Sequence, residues 1–125
     1  MKNTVFYLGV GLLFTHELDA MSNHEWLVLP LLSGLPQEYG KLVFVLAHIP
    51  VFAGVVALLS SSNESVRSKT RFGLSAFLVV HGVLHAAFIA HENYQFSSLL
   101  SNLLIFGAAL CGLAYLILNR NHSSA

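Results

Sequence analysis

The run 77–92, FLVVHGVLHAAFIAHE, limits what this chain can fold into more than any other stretch. With the residues before it, the run is long and apolar enough to cross a bilayer, yet it carries His81 and His85 where hydrocarbon would reject them. Residues four apart on a helix point the same way, one turn above the other, so the two imidazoles share a face. Polar groups at membrane depth are costly, and they turn toward a bundle interior or a site. Soluble domains carry roughly 25% charged residues. This chain has 10% charged and 55% hydrophobic residues, which describes an integral membrane protein.

Four apolar stretches follow one another, and the expected fold is all-α: an integral membrane four-helix bundle, with residues 1–125 forming one transmembrane domain. The spans are read at about 4–21, 41–59, 72–90 and 99–118, each near the 20 or so residues that cross about 30 Å of hydrocarbon. Residues 22–40 contain Pro30, Gly34, Pro36 and Gly40 and read as an interfacial loop, with Trp26 and Tyr39 at the membrane–water boundary and a short helix around 26–32. Residues 60–70 read as a polar loop, and 119–125, with His122, as an exposed tail. A lysine followed by about ten apolar residues also fits a signal peptide, but the polar part is rich in acid and histidine.

Lys2, Arg67, Lys69, Arg71 and Arg120 gather at one end of the spans, whereas Glu25, Glu38 and Glu92 lie in the other connections with only Lys41, at a helix boundary, among them. The positive-inside rule then places both termini in the cytoplasm, and the expected location is the inner (plasma) membrane of a bacterium. A rise of about 1.5 Å per residue puts His16 roughly 9 Å below the outer surface, His85 about 10 Å, His48 about 12 Å and His81 about 16 Å. Four histidines from three helices fall in one layer, and Asp19 shares the His16 face. The expectation is a polar centre ringed by the first three helices, with the fourth closing the bundle.

Imidazole beside carboxylate suits a catalytic or redox metal better than a structural thiolate site. The candidate ligands are His16, Asp19, His48, His81 and His85, with Glu17 as catalytic base or supporting partner, and the ion is zinc or iron. The reaction would be metal-dependent hydrolysis or oxidation of a lipid or amphiphile. A haem held between two histidines, a proton or ion relay, and structural histidines in an accessory subunit are the non-enzymatic alternatives. His24 and Glu25, with His91 and Glu92, read as a lid over the site or as solvated boundary residues. Cys111 is a lone thiol in an apolar run. Membrane lipids are the expected partners, with a homo-oligomer or larger membrane complex open; the net charge of zero leaves no basic face for nucleic acid. Gly9, Gly11, Gly54, Gly82, Gly107 and Gly112 lie inside spans, where small residues let helices approach closely.

The segment His16-Glu17-Leu18-Asp19, followed by His24-Glu25-Trp26, resembles small uncharacterised bacterial membrane proteins, and more loosely the family named for its HXXEE motif. In that motif a histidine precedes two acids by three residues. His16 matches, Asp19 stands at the first acid and Ala20 at the second. The resemblance covers about the first 25 residues and the four-span layout, and it implies an architecture without a reaction.

Overall fold

The chain is all-α in a computed structural model that describes residues 1–123, with side chains through Arg120; His122 lies outside the described side chains. Four long helices follow in order: α1 (Lys2–Ser22), α2 (Gln37–Leu59), α3 (Glu64–Phe88) and α4 (Leu99–Ser123). A single 3₁₀ turn, Glu25–Leu27, sits in the α1–α2 connection. Of the four, α2, α3 and α4 are long and apolar enough to cross a membrane. Although α1 has 21 residues, Thr15, His16, Glu17 and Asp19 make its last third polar.

Two boundaries differ from the sequence reading for local reasons. The polar stretch 60–70 is mostly helix: α3 starts at Glu64, because the Asn63 side chain accepts hydrogen bonds from the backbone N–H of Ser65 at 2.9 Å and Val66 at 3.3 Å. Such a cap satisfies donors that a helix start leaves unpaired. The expected helix around 26–32 is only the 3₁₀ turn and a series of turns up to Leu35, with Pro36 capping α2.

The packing order also departs from expectation. α4 is the central post, with α1 along one side and α3 along another, and α2 lies at the periphery. Only Gly40 and Phe44 of α2 are buried, while Ile49, Val51 and Val56 point outward. An apolar helix left uncovered by protein is what a lipid-facing span requires.

Small residues explain how closely α4 is approached. A Cβ on Gly112 would stand 2.5 Å from the Ser75 carbonyl oxygen, and one on Gly82 would stand 2.6 Å from the Ala109 Cβ. Gly11 and Gly54 face open space, so for them the close-packing expectation does not hold. Beneath this seam, Phe6, Val10 and Tyr115 pack at one end of the bundle, and Leu13, Leu78 and Ala108 pack at its middle.

Gly112→Ala must push α3 and α4 apart, because backbone cannot rotate out of the way. We expect it to lower stability by about 1–3 kcal/mol in denaturant unfolding of the detergent-solubilised protein. Gly54→Ala should be neutral, or stabilising by up to about 1 kcal/mol through helix propensity.

Candidate metal centre

His16 lies near the end of α1, on the side that faces α3 and α4, and is fully buried. Its ring centroid is 5.0 Å from that of His81 and 4.9 Å from that of His85, and His81 and His85 are themselves 4.6 Å apart. Helix α3 thus delivers its two imidazoles to one place, as the four-residue spacing requires.

The fourth member is Glu25. His24, at φ 53° and ψ 46°, reverses the chain just after α1, and Trp26, 1% exposed, anchors the turn by packing with Ala20, Phe44 and Phe96. Between them Glu25 is folded back over the end of the helix it has just left. Its Oε2 stands 3.5 Å from His16 Nε2 and its Oε1 3.5 Å from His85 Nε2. Burial alone would push this carboxyl up, but the closeness of His16 and His85 outweighs burial and holds it down at about 2, so the group is a carboxylate at neutral pH.

These separations are too long for good hydrogen bonds, which run at about 2.7–3.2 Å. Ligand atoms about 2.0–2.1 Å from a tetrahedral ion would stand roughly 3.3–3.4 Å apart. Both ring nitrogens of His16, Nε2 of His81 and Oε2 of Glu25 are buried with no hydrogen-bond partner among the described residues. One donor atom from each of His16, Glu25, His81 and His85 can be chosen so that all four lie within 4.8 Å of one another. Buried polar atoms normally have partners, so a cluster of orphans facing one point fits a shared cation.

Two aromatic residues from the α3–α4 connection complete the surroundings. Tyr94 Oη lies 3.3 Å from His85 Nδ1 and can accept a hydrogen bond from its N–H, leaving Nε2 free to ligate. The Phe96 ring packs against His85 at 4.8 Å and His16 at 5.4 Å, which restricts how far either imidazole can turn. On the other side, a cavity of about 220 Å³ reaches Glu25, His81 and His85, and Val28, Leu84 and Phe88 make its walls largely apolar.

The remaining sequence candidates lie elsewhere. His48, on peripheral α2, has Nε2 at 2.9 Å from Glu17 Oε2 and donates from Nδ1 to the Phe44 carbonyl at 2.6 Å. Glu17 follows His16 by one residue, so it projects from a different face of α1, toward α2. Asp19 is half-buried and stays outside the four-residue group, with Oδ2 unpartnered among the described residues. His24 pairs with Gln95 at 3.3 Å, linking the two connections, and His91 Nδ1 accepts from the Asn93 backbone at 3.2 Å. Glu25 is the residue that sequence reasoning left as part of a lid or as a solvated boundary acid, outside the candidate ligands; the available signal was its place beside an aromatic that the connection could bury.

The profile of a family of unknown function, DUF6713, matches residues 2–122. The chain belongs to that family. Membership in DUF6713 spans all four helices and both connections that build the centre, and it carries no assigned activity. No curated protein and no solved structure matches the chain significantly.

The left-handed turn at His24 is the hinge on which Glu25 placement depends. Glycine takes this conformation without cost, whereas a β-branched residue is strained there by about 1–3 kcal/mol. His24→Gly should leave thermal stability nearly unchanged and His24→Val should lower it, both readable by thermal unfolding in detergent.

Proposed function

We propose that this chain is an integral membrane metalloprotein in which His16, Glu25, His81 and His85 hold one divalent transition metal, and that it catalyses metal-dependent hydrolysis of an amphiphile. The observation that carries this reading is the convergence of orphaned donor atoms from α1, α3 and the intervening connection. Three imidazoles and a carboxylate suit zinc or iron. The three rings stand edge to face at interplanar angles of 64°, 85° and 68°.

A divalent ion held there would supply Lewis-acid activation of water or of a substrate carbonyl. His81 and Glu25 present their groups to the apolar cleft, where a hydrocarbon chain can lie with its polar end at the ion. The low-lying carboxyl of Glu25 suits a ligand better than a proton-accepting base. We place α1 in the membrane as a fourth span, because it packs along α4, and both termini with the basic cluster on the cytoplasmic side of a bacterial inner membrane. A second reading, a closed site that fastens α1 to α3 without turnover, draws on the full count of four protein ligands.

Elemental analysis of the purified protein is expected to find one zinc or iron per chain. His85→Ala and Glu25→Gln should abolish stoichiometric metal, His48→Ala should retain it, and Tyr94→Phe should weaken affinity about tenfold. Less than a tenth of an equivalent in the wild-type protein, after supplying either metal, would end the metal reading. Because protons compete for imidazole, affinity should fall steeply as pH is lowered from about 7 to about 5.5. Hydrolysis of medium-chain esters or amides in micelles, lost on chelation and restored by metal, separates the catalytic reading from the closed site.

A further inference from the structure

At the opposite end of the bundle, roughly 21 Å along α1 from His16, the side chains enclose a second concave space that the metal centre does not use. Its volume is about 260 Å³, and Lys2, Asn3, Glu64, Arg67, Arg71 and Tyr115 line it. Three cations face it against a single carboxylate, and among the described residues none of the three cations makes a salt bridge.

The cations are held in place by neutral groups. Arg71 donates from Nη1 to Asn3 Oδ1 at 3.2 Å and from Nη2 to Tyr7 Oη at 3.0 Å, and its guanidinium lies 5.8 Å and 5.6 Å from the centres of the Phe6 and Tyr7 rings. Its Nε is buried with no partner among the described residues. Arg67 donates from Nη1 to the carbonyls of Ser61 at 2.7 Å and Ser62 at 3.1 Å, and Lys2 Nζ donates to Asn119 Oδ1 at 3.1 Å. Each cation therefore keeps its full charge and has unused N–H groups.

An anion with several acceptor oxygens can use such a set at once, and arginine forks match phosphate geometry. The surface beside the pocket turns apolar: Leu8 and Phe72, the chain neighbours of Tyr7 and Arg71, are 58% and 53% exposed. We propose that this pocket binds the phosphate of an anionic phospholipid headgroup, with the acyl chains lying along Leu8 and Phe72. The site is independent of the metal centre.

The test reconstitutes the full chain in phosphatidylcholine nanodiscs with and without phosphatidylglycerol, and counts retained lipid by native mass spectrometry. The wild-type protein should keep one phosphatidylglycerol in preference to phosphatidylcholine. Arg67→Gln and Arg71→Gln should each weaken that retention about tenfold, as expected for loss of a charge-assisted contact. Arg67→Gln is the decisive variant, because Arg71 also braces α1. Lys69→Gln, which removes the same charge just outside the pocket, should retain the lipid. Equal retention of the two lipids overturns the proposal, as does a loss in Lys69→Gln matching that in Arg67→Gln, which would mark a diffuse field. Inorganic phosphate that raises Tm in detergent as much as phosphatidylglycerol does would assign the pocket to free phosphate and overturn the lipid.

Discussion

Everything near the α1–α2 connection is arranged around one constraint: a fully buried imidazole, His16, has neither ring nitrogen hydrogen-bonded among the described residues. Desolvating a polar group without a partner costs about 1–3 kcal/mol on protein-derived scales. Two further imidazoles and a carboxylate are brought to the same small space. The αL turn at His24, the buried Trp26 and the ring of Phe96 all act on this point. A centre of this kind is assembled only when α1, α3 and both of their connections are in place.

The two ends of the molecule have opposite electrostatic character. Around the histidines a single anionic side chain faces three rings. At the far end, cations are presented without ion-pair partners among the described residues and are steadied by hydroxyl, amide and aromatic groups. The long helices keep these environments roughly 21 Å apart.

How much of this could be read from the residues varied by element. The four helices followed from apolar length, and the meeting of His81 with His85 followed from helical period. That His16 joins them was suggested by its matching depth. Depth could not say which way α2 faces, and His48 consequently appeared among the candidate ligands although its ring is beside Glu17. Glu25 was harder still, because its position depends on a φ of 53° at a histidine, which no periodicity announces. The central place of α4 was latent in Gly107, Ala108 and Gly112, but small residues mark close approach without naming the neighbour.

The unequal packing of the helices implies an unequal freedom to vary. α4 touches two neighbours through backbone and methyl groups, so a change in bulk on either flank disturbs both contacts together. α2 has only Gly40 and Phe44 buried, and most of its surface needs nothing beyond greasiness. As lineages diverge, the fourth helix should therefore keep its sequence far more tightly than the second, whose outward positions can exchange one aliphatic residue for another without the rest of the molecule registering the difference.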